Sequence, residues 1–390
     1  MQLCRDLSRA KDRKATIDET VEKSVREILA DVKENGDAAV RKYSEKFDGF
    51  TGGDPLVGED EIKTAIRNTD DDFMRILRRA CAKITEFHTN QIGKSWGIYK
   101  GDGVIMGQIL RPLRRVALYV PGGTAAYPST VLMNAIPATL AGVRDIVVFT
   151  PAGRDGKVNG AILAAAACCG IRTIYKIGGA QAIAAAAYGT ETIARTDKIV
   201  GPGNIYVAAA KRMVYGEVDI DMIAGPSEVL IIADETANPK YVAADLLSQA
   251  EHDEMACSIL VTTCEKLIGE TESELERQVA YLDRGAIIRR SLENYGTAIL
   301  AGDLEKAFEI ANHVAPEHLE ILTKNPLEHL PKVQNAGSIF LGENTPEPLG
   351  DYLSGTNHVL PTGGTAKFFS PLGVYDFVNS ARTVIIPARR

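Results

Sequence analysis

The sequence lacks an apolar run long enough to cross a membrane, and its first residues lack the apolar core of a signal peptide. These absences predict a cytoplasmic protein without a membrane partner. A basic surface is also missing, since the net charge is −7 and the pI is near 5.6. A nucleic-acid surface must neutralise phosphates, so this balance argues against nucleic acid and favours a small-molecule partner.

Signatures of several other protein classes are absent as well. No Walker-type phosphate loop occurs, which argues against an ATPase. No internal repeat or low-complexity segment occurs, so a repeat architecture is not expected. The six cysteines show no metal-binding or redox spacing, and most are predicted to be small core residues rather than reactive thiols.

What is present is the composition of a globular protein of 390 residues, enough for two or three domains. Residues 16–46 predict two helices that are separated at Asn35-Gly36, and a third helix is predicted from Asp70 to His88. His88 is interpreted as a cation at that helix end. From Arg115 onward, short apolar runs alternate with helices, which predicts parallel α/β sheets. The predicted strands are 116–120, 146–150, 174–177, 198–200, 228–232, 258–261, 298–300, 319–322 and 338–341.

A polar stretch closes the helix that Asn238-Pro239 is predicted to start. Gln249 and His252 lie three residues apart, on one face of that helix. An imidazole with oxygen donors suits zinc or manganese, so the pair is a candidate for two metal ligands. The alternative is an ordinary helix end with solvated polar side chains.

Four glycine turns follow predicted strands, and such turns favour a phosphate group. The turn Gly201-Pro-Gly203 approaches the dinucleotide-binding fingerprint, but Tyr206 stands where the third glycine belongs. The alternative is that these glycines serve backbone geometry only.

Two further clusters carry candidate chemistry. Glu317 and His318 precede an apolar run and together offer a general base and a proton shuttle. The alternative is one buried and one solvated side chain, because neighbours on a strand face opposite ways. In the loop from Gly350 to Pro361, Asp351 is a candidate third metal ligand and His358 a candidate substrate contact, although a plain surface loop has the same composition.

Seven ordered motifs together resemble the histidinol dehydrogenase family, over nearly the whole chain. They are Tyr119–Gly123, Gly178–Gln181, Gly201–Asn204, Ala224–Glu228, Ser248–Asp253, Ala315–Leu319 and Gly350–His358. The resemblance implies a zinc-dependent, NAD-linked homodimer that oxidises L-histidinol through the aldehyde to L-histidine, the last step of histidine biosynthesis. It also implies two Rossmann-like parallel-sheet domains in an aldehyde-dehydrogenase-like arrangement, with a short N-terminal helical segment.

The resemblance further implies a role for each matched residue. Glu317 resembles the base that activates water, and His318 the base that takes the alcohol proton. The implied zinc ligands are Gln249, His252 and Asp351. The implied substrate contacts are Ser227, Gln249, His252, His318, Asp351 and His358, and the implied NAD contacts are Tyr119, Gln181 and Asn204.

We predict an N-terminal arm (1–15), a discontinuous catalytic domain (16–118 and 228–372), an inserted NAD-binding domain (119–227) and a remnant of a tail domain (373–390). Members of the family continue past the position of Arg390 with a tail that supplies a fourth zinc ligand across the dimer. A chain without it is expected to leave one metal position to water and to have impaired activity. Two other hypotheses are a dehydrogenase of another small alcohol or diol, and a catalytically weak chain that only binds NAD or forms an assembly.

Overall fold

The computed structural model describes residues 3–6, 18–122, 127–223 and 225–387, except for the side chains of Asp351 and Tyr352. The chain forms two compact units. Residues 17–221, 355–359 and 372–390 belong to the first unit, and residues 1–16, 222–354 and 360–371 to the second unit. Within the described residues, no helix is both long and apolar enough to cross a membrane.

The first unit begins with the predicted helices. Helix α1 (Glu19–Tyr43) breaks at Gly36, where φ is 49° and ψ is −129°, so the expected interruption is confirmed. The Glu191 carboxylate accepts a hydrogen bond from the backbone N–H of Asp37 at 2.7 Å and so caps the part that follows the break. Helix α2 (Glu59–Asn68) is not predicted from the sequence. Helix α3 (Asp71–Thr89) agrees to within one residue at each end with the helix predicted from Asp70 to His88.

The remaining elements of the first unit, up to its last strand, follow in chain order. They are β1 (Trp96–Tyr99), β2 (Ile105–Pro112), β3 (Arg115–Tyr119), α4 (Pro128–Ala141), β4 (Asp145–Phe149), α5 (Gly160–Cys168), β5 (Thr173–Tyr175), α6 (Gly179–Tyr188), β6 (Lys198–Val200), α7 (Ile205–Val214) and β7 (Asp219–Ile220). Strands β3 to β7 form a parallel sheet in the order β5-β4-β3-β6-β7. Counted from β3, this order is 3-2-1-4-5, which is the doubly wound order without its sixth strand.

Helix α1 packs on the alanine-rich helices of the first unit. Val25, Ile28 and Leu29 share one buried core with residues of α6 such as Ala182 and Ile183. Small alanine side chains let the helices approach closely, and the apolar stripe of α1 covers the contact. The compact units group residues 17–118 with 119–221, whereas the predicted domains join residues 16–118 to 228–372, and those domain boundaries stay a prediction.

The second unit contains the second α/β series that the apolar runs predict. Its elements are β8 (Glu228–Ala233), α8 (Pro239–Ala250), β9 (Cys257–Thr262), α9 (Glu265–Val279), α10 (Gly285–Tyr295), β10 (Thr297–Leu300), α11 (Leu304–Val314), β11 (His318–Leu322), β12 (Ser338–Leu341) and the short helix α12 (Glu347–Leu349). Its five strands are parallel, in the order β10-β9-β8-β11-β12. Both units thus confirm the predicted Rossmann-like α/β fold.

The last described strand, β13 (Val378–Ile385), belongs to the first unit. It pairs antiparallel with β2, and β1 pairs antiparallel with the other side of β2. No sequence pattern predicts this three-stranded sheet. Its strands lack the regular alternation of apolar and polar residues that marks a half-buried strand. Residues 378–385 are therefore an integral strand of the first unit, where the sequence predicts a remnant of a tail.

Candidate active site and glycine turns

Glu317 and His318 lie at the amino end of β11 in the second unit. Helix α11 ends at Val314, and its C-cap Ala315, with a φ of 53°, reverses the chain into the strand. His318 is the first residue of β11 and stands opposite Val229 of β8. Both the Glu317 and the His318 side chains are buried, which excludes the alternative in which one of them is solvated.

Glu317 and Glu228 form a reciprocal pair of hydrogen bonds, in which the backbone N–H of each residue donates to the carboxylate of the other. The N–H of Glu228 donates to Glu317 Oε2 at 3.0 Å, and the N–H of Glu317 donates to Glu228 Oε1 at 3.3 Å. A third donor, the N–H of Gly363, reaches Glu228 Oε1 at 3.0 Å. Hydrogen bonds from amides to carboxylates are strong and directional, so this reciprocal pair fixes the direction in which the Glu317 carboxylate points.

The ring of His318 is oriented by a backbone carbonyl. Its Nδ1 lies 3.1 Å from the carbonyl oxygen of Glu228. A carbonyl oxygen only accepts hydrogen bonds, so in the neutral ring Nδ1 carries the proton and Nε2 holds the free electron pair. Nε2 lies 3.9 Å from Glu347 Oε1. The basic nitrogen of His318 therefore faces a carboxylate that can stabilise it once it has accepted a proton.

The sequence prediction assigns no role to three carboxyl groups near His318, those of Glu347, Glu320 and Asp245. The N–H of Glu347 donates to Glu320 Oε1 at 3.0 Å, and Glu320 forms a side-chain hydrogen bond with Asp245 of α8. Burial raises the pKa of Glu320 well above its usual value, and burial raises the pKa of Asp245 to about 6. Two such carboxyl groups in contact share a proton, because both cannot be ionised together at low cost.

A signal for these carboxyl groups is present in the sequence. Glu320 lies two residues after His318 on a strand, and Asp245 lies four residues before Gln249 on a helix, so each shares a face with a predicted site residue.

Gln249 is a buried amide that the structure leaves without a partner. Its side chain is 1% exposed, and neither Oε1 nor Nε2 has a hydrogen-bond partner among the described residues. Such a group is costly to bury unless something binds it, so Gln249 fits the donor set of a metal ion. His252 lies in the turn after the end of α8 and is exposed, so a solvated helix end describes His252 but not Gln249.

The direction of α8 brings Gln249 towards His318. The helix joins parallel strands, so it runs antiparallel to them. Asp245 is hydrogen-bonded to Glu320, and one further helical turn leads to Gln249 while two strand residues back lead to His318. A contact confirms the direction, since Ser248 Oγ donates to Glu347 Oε2 at 3.4 Å.

The other predicted ligands are placed less fully. The side chain of Asp351 lies outside the described residues, and Ser227 precedes β8 as a half-buried residue. Among the residues that the structure describes, no group of three or more His, Cys, Asp or Glu side chains is arranged to hold a metal ion. Only one of the three predicted zinc ligands, His252, could count towards such a group. Gln249 is not one of these residue types, and the side chain of Asp351 is not described.

His358 lies in the 355–359 segment of the first unit and is half-buried. Its neighbour Asn357 anchors this segment, because Nδ2 donates to the Met133 carbonyl at 2.8 Å and lies 3.3 Å from His88 Nε2. His88 is fully buried, and burial lowers its pKa. The interpretation of His88 as a helix-terminal cation is therefore wrong, since the neutral ring serves as an internal anchor.

At the carboxyl edge of the first unit's sheet, the turn after β6 packs closely against the backbone at the end of β3. Gly201 has a φ of 112°, and a Cβ there would lie 2.1 Å from the carbonyl oxygen of Tyr119. Only glycine fits this turn. Lys211 Nζ donates to the Gly201 carbonyl at 2.9 Å, and Asp221 Oδ2 accepts the Gly201 N–H at 2.7 Å. Lys211 and Asp221 also form a buried ion pair, so a charged clamp holds the turn on both sides.

The three predicted NAD contacts meet at this same edge. The Tyr119 hydroxyl accepts a hydrogen bond from the N–H of Gly179 at 3.0 Å, and burial raises the pKa of Tyr119 to about 12. Gln181 Nε2 donates to Asp48 Oδ2 at 3.1 Å, while its Oε1 has no partner among the described residues. Asn204 caps α7 with its side chain.

Three backbone amides of these turns are hydrogen-bonded within the chain. Asp48 accepts the N–H of Gly178, Tyr119 that of Gly179, and Asp221 that of Gly201. These three amides are therefore already used within the chain, which favours backbone geometry as the role of their glycines, and the phosphate expectation for the turns stays a prediction. A groove of about 1230 Å³ lies beside them, lined by Gly122 and Pro151 at the strand ends among other residues. Its volume exceeds that of most small-molecule pockets.

Comparison with known proteins assigns the chain. The family model described as histidinol dehydrogenase matches residues 11–389. The chain belongs to the histidinol dehydrogenase family. Histidinol dehydrogenase from Lactococcus lactis subsp. lactis is 61% identical over 368 residues, which is 94% of this chain and 85% of that one. The Clostridium acetobutylicum histidinol dehydrogenase is 55% identical, over 95% of this chain and 86% of the relative.

Solved structures agree with this assignment. The crystal structure of histidinol dehydrogenase from Elizabethkingia anophelis has a TM-score of 0.94 at 41% identity, covering 99% of this chain and 90% of that chain. An NAD-dependent aldehyde dehydrogenase from Sinorhizobium meliloti has a TM-score of 0.53 at 11% identity, covering 94% of this chain and 88% of that one. The second likeness shows the shared fold alone, whereas membership of the family makes this chain an oxidoreductase of histidine biosynthesis that acts on histidinol.

Proposed function

We propose that this chain oxidises L-histidinol to L-histidine in two successive NAD-dependent steps, with zinc holding the substrate. The observation that supports this most strongly is the orientation of His318, whose Nδ1 is bonded to a carbonyl so that Nε2 is the basic atom. When bound, NAD accepts the hydride of each oxidation, and zinc orients the imidazole and amine of the substrate.

In the first oxidation, His318 Nε2 takes the proton of the substrate hydroxyl, which lets the alcohol carbon release its hydride and become the aldehyde. Positive charge then develops on the ring of His318. Glu347, with Oε1 at 3.9 Å from Nε2, stabilises that charge. The buried position of both groups strengthens this attraction relative to water.

In the second oxidation, Glu317 takes a proton from a water molecule that adds to the aldehyde carbon. The hydrate then releases the second hydride and becomes the carboxylate. Glu317 suits this role because the N–H of Glu228 holds one carboxylate oxygen at 3.0 Å, which keeps the group in a fixed direction. Substrate contacts with Ser227, Gln249, His252, Asp351 and His358 complete this proposal.

Zinc would be held by Gln249, His252 and Asp351. The chemistry of this set, amide oxygen with imidazole and carboxylate, suits the ion. The buried Gln249 amide without a described partner supports the proposal, since a ligand there would satisfy it.

NAD would bind to the first unit through Tyr119, Gln181 and Asn204. In open α/β sheets, ligands bind outside the carboxyl ends of the strands where the strand order reverses. That point lies between β3 and β6, where the chain places Tyr119 and Gly201. The unpartnered Gln181 Oε1 supplies an acceptor there.

We also propose that the enzyme is a homodimer in the cytoplasm. The β1-β2-β13 sheet exposes several large apolar side chains, and an apolar patch on a sheet favours association with another copy. The exposed residues are Trp96, Ile98, Tyr99, Val384 and Ile385. Light scattering of the purified chain tests this proposal, and a monomer at micromolar concentration would contradict it.

The Glu317→Gln variant tests the proposed reaction. We expect histidinol to bind and the first NADH to form, but histidine formation to fall by about 10²–10⁴-fold, because the amide cannot take a proton from water. NADH and histidine are quantified together, and the exposed Glu328→Gln variant is the matched control. Normal histidine formation by Glu317→Gln would refute the role of Glu317, and NADH formation with other alcohols but never with histidinol would favour a different substrate.

A further inference from the structure

Three thiols of the first unit meet at the contact between α3 and α5. Cys81 lies in α3, Cys168 is the last residue of α5, and Cys169 caps that helix. The Cys81 thiol is hydrogen-bonded to those of Cys168 and Cys169. All three are partly exposed. Of the six cysteines only Cys257 is buried, so the expectation that most are core residues is wrong.

The three thiols differ in reactivity. Hydrogen bonds from the Cys169 thiol, and then from that of Cys168, lower the pKa of Cys81 against the effect of burial. The contact with Cys81 raises the pKa of Cys169, and burial raises that of Cys168. These contacts favour the thiolate at Cys81 over that at its two neighbours, and thiolates are the reactive form of cysteine.

A partly exposed thiolate next to a second thiol is the arrangement of an oxidisable dithiol. Of the two neighbouring thiols, that of Cys169 has the larger effect on the pKa of Cys81. A bond between the adjacent Cys168 and Cys169 would close a small strained ring, so the bond across the two helices is favoured.

We propose that Cys81 and Cys169 form a peroxide-reactive dithiol site that closes into a disulfide between α3 and α5. The Cys81 thiolate attacks one oxygen of a hydroperoxide, the O–O bond breaks, and Cys81 becomes a sulfenic acid while hydroxide or alkoxide leaves. The Cys169 sulfur then attacks the Cys81 sulfur, the S–O bond breaks, and water leaves with the thiol proton. Two electrons pass from two thiols to one peroxide.

The disulfide would join two helices that wall the groove of the first unit. Phe73 in the first turn of α3, and Gly160 and Ala161 in the first turn of α5, line that groove. The oxidised enzyme would hold these two walls at a fixed distance.

Treatment of the purified full-length chain with a small molar excess of hydrogen peroxide tests the site. Free thiols are then alkylated, and peptides are mapped by mass spectrometry without reduction. We expect the loss of two thiols out of six and a link between the peptides that contain Cys81 and Cys169. The Cys81→Ser and Cys169→Ser variants should lose the link, and Cys168→Ser should retain it.

Cys4 and Cys264 are internal controls, since they are partly exposed thiols elsewhere in the chain. Alkylation should modify Cys81 several-fold faster than either of them, and the Cys264→Ser variant should form the link normally. The proposal is overturned if Cys81 is oxidised only to sulfinic or sulfonic acid, if the link joins Cys81 to Cys168 instead, or if no thiol is lost. Mapping of the unaltered chain decides between these outcomes even where a serine variant fails to fold.

Discussion

The two parallel sheets share one strand order but carry their polar groups at opposite edges. In each, the first strand lies in the centre, the second and third lie on one side, and the fourth and fifth on the other. The first unit places Tyr119 and Gly201 at the carboxyl ends of its central pair, β3 and β6. The second unit places Glu228 and His318 at the amino ends of the equivalent pair, β8 and β11.

The groups at the two edges also differ in kind. The edge in the first unit combines glycine turns, a hydroxyl and neutral amides with the paired charges of Lys211 and Asp221, whereas the edge in the second unit concentrates carboxylates around one imidazole. Strand order alone predicts a site at the carboxyl edge. The proposed NAD site in the first unit follows this rule and the proposed active site in the second unit does not, so the chemistry proposed for each edge rests on its residues rather than on the fold.

The largest expected effect is on the second unit's edge. The His318→Gln variant should lower kcat by about 10²–10⁴-fold, because no group remains to take the alcohol proton. The KM for NAD should stay near its usual value, since the first unit is unchanged. Steady-state NADH formation measures both constants, and His313→Gln, an exposed histidine in α11, is the matched control. A proportional loss of NAD affinity in His318→Gln would show that the two edges do not act separately.

A substitution at the first unit's edge is expected to lower the stability of the fold rather than to remove a catalytic group. The Lys211→Met variant leaves the buried Asp221 without its cation, which costs about 3–5 kcal/mol of unfolding free energy. It also frees the Gly201 turn, so NAD affinity should fall. Urea denaturation measures the loss, and Lys266→Met, at a side chain that is 81% exposed, is the control. Adding Asp221→Asn should restore part of the stability, and no restoration would contradict the clamp.

A smaller effect is expected on the pH dependence of stability, and it comes from a carboxyl group of the second unit. Because burial raises the pKa of Asp245 to about 6, the folded chain binds a proton there that the unfolded chain has already released. Stability from this group is therefore present below pH 4 and is lost as pH rises towards 6. The Asp245→Asn variant should remove on the order of 3 kcal/mol of this pH dependence. Urea denaturation across this range measures it, with exposed Asp283→Asn as control, and an unchanged slope would contradict the carboxyl pair.

Sequence patterns predict what is local and repeated. Strands β6 and β12 match their predicted bounds, because buried parallel strands are continuous apolar runs between turns. Glu317 and His318 are found because they are adjacent in a distinctive motif. Glu320 is missed as a partner of Asp245, since the two meet only when α8 packs on the sheet. Periodicity does not encode which distant side chains come into contact.

The roles of the site residues stay predictions, as do NAD, zinc and the dimer. The thiol cluster escapes sequence analysis for the same reason as the carboxyl pair. Cys168 and Cys169 are adjacent, but Cys81 reaches them only through helix packing. The adjacent cysteines were the signal that spacing rules for metal and redox motifs do not include.

The β1-β2-β13 sheet has a consequence for how the chain is made. Strand β2 leaves the ribosome long before β13, its partner in every residue pair from Ile105 to Pro112. At roughly 5–20 residues per second, the interval is on the order of ten seconds or more. Until then one side of β2 is an open edge on which another nascent chain can add a strand. Translation speed over the part of the message between these two strands therefore influences how much of the protein is recovered in native form.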